Sequence, residues 1–138
     1  MKLKKIHFIV LVALLFSLLS IVFIGIFHLL TVHKSGELTL KGENIFMARC
    51  ASCHSLQKDE RRAGPSLYLI LGRKAASIYQ FPYSRAMRES EIVWDRVSVK
   101  QFLKNPRLMV PQNRMAFVGI EDEQEIDALL DFLEEKAR

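Results

Sequence analysis

One cysteine pair restricts what this chain can form. Cys50 and Cys53 are three positions apart, and His54 follows at once. This CxxCH spacing is typical of covalent haem attachment, in which both thiols add to the haem vinyl groups and the histidine ligates the iron. A structural zinc site would need four ligands, but these are the chain's only two cysteines. A thioredoxin-like dithiol would need no adjacent histidine. The motif therefore predicts one covalently bound haem c.

A long apolar segment precedes this motif. Residues 6–32 contain no Asp, Glu, Lys or Arg. At about 1.5 Å per residue, a helix of this length exceeds the roughly 30 Å hydrocarbon layer of a membrane. The apolar stretch of a cleavable signal is about 7–15 residues long, and no Ala-x-Ala-like pair follows this segment. We therefore predict an uncleaved transmembrane signal anchor at residues 6–32.

The flanking charges predict the orientation of this span. Lys2, Lys4 and Lys5 precede it, and the positive-inside rule places such residues in the cytoplasm. We expect residues 1–5 to be cytoplasmic, 33–40 to be a short linker and 41–138 to be a periplasmic haem domain. The predicted location is the bacterial inner membrane, crossed once.

Charge is distributed unevenly over the exported part. Residues 36–120 contain 14 basic and 7 acidic side chains, whereas residues 121–138 contain 2 basic and 8 acidic ones. This asymmetry suits steering towards a charged protein, although solvated helix faces also account for most of these residues. The basic residues are scattered, and the predicted location is the periplasm, so the sequence does not favour nucleic acid as a partner.

The exported part is predicted to be all-α. Helical patterns occupy residues 42–51, 67–73, 98–103 and 121–137, and loops occupy 56–66, 75–83 and 107–119. The last helix is the clearest, because acidic residues fill its first turn and its apolar residues recur at helical spacing. This apolar stripe contains Ile126, Leu129, Leu130 and Leu133.

Several sequence blocks after residue 42 occur in a recognisable order. They are Gly42-x-x-Ile45-Phe46, Ala63-Gly64-Pro65-Ser66-Leu67, Gly72-Arg73-Lys74, Phe81-Pro82-Tyr83-Ser84, Trp94, Phe102-Leu103-Lys104-Asn105-Pro106 and Pro111-x-x-x-Met115-Ala116-Phe117-Val118-Gly119-Ile120. In these blocks the chain resembles class I cytochrome c of the mitochondrial and alphaproteobacterial type. The resemblance implies the class I fold, here preceded by one N-terminal transmembrane helix.

The same resemblance implies roles for individual residues. His54 and Met115 would be the axial iron ligands, and the Pro65 carbonyl would accept a hydrogen bond from the His54 ring. A haem propionate would be hydrogen-bonded by Arg73, Tyr83 and Trp94. Where the first and last helices cross, Gly42 and Phe46 would pack against Leu129 and Phe132. The other exported methionines considered as ligands are Met47, Met87 and Met109.

Some positions depart from the family pattern. Phe102 stands where a tyrosine usually bonds the methionine sulfur, and Met87 stands where an asparagine joins a water network. Gln112 and Asn113 replace a Gly-Thr pair, and Asn113 could take over the threonine contact to the propionate. The family's basic residues near the haem edge are matched by Arg49, Arg107 and Arg114, while Glu121 and Asp122 replace two lysines.

A class I cytochrome c with both axial positions filled transfers electrons and is not an enzyme with a small-molecule substrate. The resemblance to anchored cytochromes cy implies single-electron transfer in a respiratory or photosynthetic chain, from a bc1-type complex to a terminal oxidase. Two alternatives remain open at this point. They are a fixed haem subunit of one respiratory enzyme and a peroxide- or ligand-binding haem protein.

Overall fold

The computed structural model describes the backbone of residues 2–137 and the side chains of residues 11, 12, 14–32 and 36–137. The predicted basic N-terminus at residues 1–5 lies outside the described side chains. Over residues 2–137 the fold is helical and contains no strand, in agreement with the all-α prediction. Its helices are α1 (Lys2–Arg49), α2 (Arg85–Glu89), α3 (Arg96–Lys104), α4 (Pro106–Met109) and α5 (Glu123–Lys136).

The chain divides into two units, residues 1–37 and 38–138. The first unit consists of the N-terminal part of α1, whose large apolar side chains are exposed. Among the described helices, α1 is the one that is long and apolar enough to cross a membrane, and a signal sequence has the same properties. The predicted linker at 33–40 is helical and contains the boundary between the units.

In the second unit, α5 contributes more buried apolar residues to the core than any other helix. Asp122 caps this helix by accepting a hydrogen bond from the Gln124 N–H at 2.7 Å, and Glu123 and Glu125 lie in the first turn, where acidic residues are favourable. The helix predicted at 121–137 is thereby confirmed. The four residues of its predicted apolar stripe are all buried.

The C-terminal part of α1 packs against α5. Phe46 and Phe132 lie with their ring centroids 5.6 Å apart. Close approach depends on Gly42, because a Cβ at this position would collide with the Ala128 backbone and with the Phe132 side chain. This confirms the predicted contact between the first and the last helix and explains the glycine.

Ion pairs join α3 to α5. Arg96 binds Asp131 at 2.6 Å and Glu134 at 3.0 Å, and one helical turn later Lys100 binds Asp127 at 2.9 Å. Exposed pairs of this kind contribute at most about 1 kcal/mol each. These pairs also neutralise part of the negative charge of residues 121–138. The charge asymmetry of the domain is therefore smaller than the sequence alone implies.

Three segments differ from the predicted secondary structure. Residues 67–73 form turns, and the helix predicted there is wrong, because Leu69 and Gly72 adopt φ values of 47° and 84° that interrupt a right-handed helix. The short helix α2 was not predicted, although Ser84 caps it by accepting from the Met87 N–H. Another short helix, α4, begins at Pro106 and overlaps the start of the loop predicted at 107–119.

Candidate haem site

The cysteine motif forms a tight turn at the end of α1. The amide N–H groups of Cys53 and His54 both donate to the Cys50 carbonyl, at 3.0 and 2.8 Å. Cys50 is buried and Cys53 is exposed, and the two are not joined by a disulfide. Burial raises the pKa of the Cys50 thiol to about 11. The two hydrogen bonds therefore hold Cys50, Cys53 and His54 together in one tight turn.

The His54 ring is held in one orientation. Its Nδ1 lies 2.8 Å from the Pro65 carbonyl oxygen. Burial lowers the pKa of His54, and the hydrogen bond to Pro65 opposes this shift. A neutral imidazole that donates through Nδ1 keeps its Nε2 lone pair for a metal. The neighbouring Gly64 lies directly against the ring, since a Cβ there would collide with three imidazole atoms.

A small polar network holds the same segment, and sequence reasoning missed it. Arg62 donates through Nη1 to the Ala51 carbonyl at 2.5 Å and through Nη2 to Glu60 at 2.9 Å. Glu60 also accepts from the buried Ser55 hydroxyl. The pKa of Glu60 is lowered by this hydroxyl and by Arg62. Nothing in the charged stretch at residues 58–62 distinguishes these side chains from a solvated loop.

Met115 lies in the segment between α4 and α5 and is partly buried against the core. Its backbone N–H donates to the Asn113 side-chain oxygen at 2.9 Å. Met87 and Met109 are also partly buried against the core, whereas Met47 is 63% exposed. Burial alone therefore disfavours Met47 as a ligand but does not separate the other three methionines.

The residues expected near a propionate come from three segments. Arg73 donates to the carbonyl oxygens of Ser66 and Tyr68, at 2.8 and 2.5 Å. Burial lowers the pKa of Arg73 and raises that of Tyr83, and each group's charge opposes the shift in the other. The Trp94 backbone N–H donates to the Arg73 carbonyl at 2.9 Å. The structure thus brings these three residues close to one another.

These residues fit a covalently bound haem. The turn supplies two thiols, and the histidine is oriented by Pro65 with no side chain at Gly64 to displace it. Partly buried apolar side chains, among them Leu56, Leu67 and Phe117, pack on the same core as Met115. One imidazole and one thioether are the ligands typical of electron-transfer haem, and such haem lies in a buried apolar environment.

The comparison with known proteins agrees with this chemistry. A model of the cytochrome c family matches residues 39–136. The chain belongs to the cytochrome c family. Cytochrome c from Cochliobolus lunatus is 34% identical over 99 residues, which cover 71% of this chain and 92% of that protein. Cytochrome c2 from Afifella marina is 36% identical over 104 residues, covering 72% of this chain and 83% of that protein.

A solved structure supports the same assignment. Cytochrome cH from Methylobacterium extorquens matches with a TM-score of 0.66 and 31% identity, covering 71% of this chain and 98% of that protein. The family resemblance and the class I cytochrome c fold are therefore confirmed. As a family member, the chain binds one haem c through Cys50 and Cys53 and is a monohaem electron carrier. Cytochrome c homologues are generally not enzymes.

Proposed function

We propose that this cytochrome c is tethered to the bacterial inner membrane and carries single electrons between membrane complexes. Its haem domain lies in the periplasm, its donor is a bc1-type complex and its acceptor is a terminal oxidase of a respiratory or photosynthetic chain. The observation that carries the proposal is the presence, in one chain, of a cytochrome c domain from residue 39 and an exposed apolar helix before it.

The side chains of this helix are compatible with a lipid environment. Phe16, Phe23 and Leu29 are 70%, 71% and 72% exposed, which is unfavourable in water and favourable in hydrocarbon. Polar groups inside a bilayer must find partners within the protein. The hydroxyls of Ser17 and Thr31 do so, because each donates to a carbonyl of the preceding turn at 2.8 Å.

The bound haem c supplies a centre that accepts and releases one electron. His54 and Met115 would ligate its iron, and Pro65 orients the histidine. Arg73 would neutralise a buried propionate, and Tyr83 and Trp94 would hydrogen-bond it, since the carboxylate would otherwise be costly to remove from water. A soft thioether ligand beside the imidazole would favour ferrous iron and raise the reduction potential.

The docking surface that we propose is smaller than the sequence suggests. Arg107 and Arg114 are exposed and are available to an acidic partner. Arg49 pairs with Glu125 at 3.5 Å, so part of its charge is already neutralised. Since exposed charges act mainly on the rate of association, we expect Arg107 and Arg114 to contribute most to salt-dependent docking.

The test uses the full-length chain in membranes of its host. We expect the haem-stained protein to remain in the membrane after a carbonate wash and its haem domain to be digested by protease added from the periplasmic side. Its N-terminal sequence should begin at residue 1 or 2. A protein that begins after the apolar segment and is released by carbonate would contradict the tether while leaving the electron carrier intact.

Electron transfer is measured in the same membranes. Reduced protein should be oxidised by the terminal oxidase, and Arg114→Glu should slow this oxidation more than Arg85→Glu, a matched charge reversal on α2. Equal rates for the two variants would show that Arg114 does not take part in docking. Failure of the unmodified protein to be oxidised would exclude the proposed acceptor.

A further inference from the structure

The turn that precedes Met115 is strained. The Asn113 N–H donates to the Val110 carbonyl at 3.2 Å and closes a four-residue turn. Pro111 occupies its second position and Gln112 its third, with a φ of 66°. This is the conformation of a type II turn, whose third position favours glycine. Because Gln112 has a Cβ in the left-handed region, the turn needs additional interactions to persist.

The Asn113 side chain supplies these interactions. Its Nδ2 donates to the Pro106 carbonyl at 2.7 Å and to the Val110 carbonyl at 2.8 Å. Its Oδ1 accepts from the Met115 N–H at 2.9 Å. A primary amide has two N–H donors, so neither remains for a propionate. The contact to propionate that the sequence suggested for Asn113 is therefore not supported.

The rest of this segment has little backbone support. Within the described residues 2–137, no backbone–backbone hydrogen bond involves residues 114–119. The segment is closed at its far end, where the Ile120 N–H donates to the Leu103 carbonyl at 2.9 Å. Between the turn and this closure, the structure shows one hydrogen bond for the Met115 backbone, which the Met115 N–H donates to the Asn113 Oδ1.

We propose that Asn113 is a positioning residue that keeps the Met115 sulfur at the iron. Its amide joins the first residue of α4, the first residue of the turn and the Met115 backbone into one unit. This inference rests on the proposed ligation by Met115. Without the amide, the turn relaxes from its strained conformation and the thioether leaves the iron more often, which admits external ligands.

Cyanide binding to the oxidised, full-length, haem-loaded protein in detergent measures how often the thioether leaves. Asn113→Ala removes three hydrogen bonds, so we expect cyanide to bind about tenfold faster. Asn105→Ala is the matched control, because it removes the cap on the Leu108 N–H in the same segment and no bond to Met115. It should lower the melting temperature but leave the cyanide rate close to that of the unmodified protein.

A second variant provides the test if Asn113→Ala does not fold. Asn113→Asp keeps the acceptor for the Met115 N–H and loses the two donated bonds, so its cyanide rate should lie between those of the unmodified protein and Asn113→Ala. If Asn113→Ala does not hold haem, the aspartate variant alone decides. The proposal is overturned if the rate is unchanged in the variant that decides, or if Asn105→Ala accelerates binding equally.

Met115→Ala separates this inference from the ligation on which it rests. If Met115→Ala leaves the near-infrared methionine–iron band intact, the ligand assignment itself is wrong. If Met115→Ala removes the band while Asn113→Ala binds cyanide no faster, the ligation stands and the positioning role does not.

Discussion

The segments around His54 and Met115 are supported in different ways. Around His54, several hydrogen bonds act together: they close the turn at Cys50 and join the ring to Pro65, eleven positions further along the chain. Around Met115, the chain runs from residue 114 to 119 without backbone–backbone hydrogen bonds inside the described part of the protein. The support there comes from side chains, because Asn113 accepts from the Met115 N–H and Arg114 donates to the Pro82 carbonyl at 3.3 Å.

This contrast indicates where the haem site is most easily opened. The His54 side gains its rigidity from several local interactions, so the loss of one leaves others in place. The Met115 side depends on few interactions, so one side-chain change has a larger effect on the ligand. We therefore expect the bond from iron to Met115 to be the more labile of the two proposed axial bonds.

The largest expected effect is the loss of the methionine ligand. Met115→Ala should abolish the near-infrared charge-transfer band of the oxidised protein and open the iron to cyanide. Met109→Ala, at the end of α4 and also partly buried, should leave the band intact. Loss of the band in Met109→Ala alone would show that Met109, and not Met115, is the ligand. The comparison between the His54 and Met115 segments would then no longer apply.

A substitution at Gly64 tests the other side. Gly64→Ala forces a Cβ into the His54 ring, and we expect it to lower the free energy of unfolding by about 2–3 kcal/mol. Gly72→Ala is the control, because its φ is 84° but its Cβ would meet nothing within 4 Å. We expect it to cost about 1 kcal/mol. Equal losses in thermal unfolding would mean that the ring has room to move.

Relief of strain on the Met115 side should have a smaller effect. Gln112→Gly removes about 1–2 kcal/mol of left-handed backbone strain. The freer glycine adds about 0.4–1 kcal/mol of entropy to the unfolded chain, which offsets part of this gain. We expect a slightly higher melting temperature. A lower melting temperature would show that the turn is not strained at Gln112.

Lowering the pH should weaken the interactions that support the His54 segment but not those that support the Met115 segment. The pKa of Glu60 is lowered by Ser55 and by Arg62. A carboxyl whose pKa is lowered by folding stabilises the fold fully above its ordinary value of 4.5, and this contribution is lost as the pH falls through the lowered value. Residues 106–120 contain no Asp or Glu, so they have no corresponding carboxyl to protonate.

Glu60→Gln tests this expectation by urea unfolding between neutral pH and about pH 3. The variant should be less stable than the unmodified protein at neutral pH, and the difference should shrink in acid. Ser55→Ala, which removes the largest cause of the pKa shift, should act in the same direction. A difference between Glu60→Gln and the unmodified protein that does not change with pH would exclude Glu60 as the titrating group.

Local patterns were sufficient for several predictions. The CxxCH spacing and the blocks up to Ile120 predicted a cytochrome c with covalent haem, and the comparisons confirm it. The helix at residues 121–137 was also predicted, because capping and apolar periodicity lie within one short segment. The membrane anchor, the domain limits and the axial ligands stay predictions.

Other features depend on contacts between distant residues. The predicted helix at 67–73 is replaced by turns. The Leu69 N–H in this segment donates to the carbonyl of Ala137, which is far away in the sequence. Arg62 acquires its role because folding brings the Ala51 carbonyl within reach of its guanidinium. Neither partner can be inferred from the residues adjacent to these positions.

The sequence by itself determined the haem chemistry, the apolar N-terminal segment and the main helix of the core, because these depend on residue type and on spacing within a few turns. Only the tertiary structure decided how the two proposed ligands are supported. Asn113 is a polar residue in a loop until Pro106, Val110 and Met115 surround its amide. A hydrogen bond needs a partner at about 3 Å, and only the folded chain places one there.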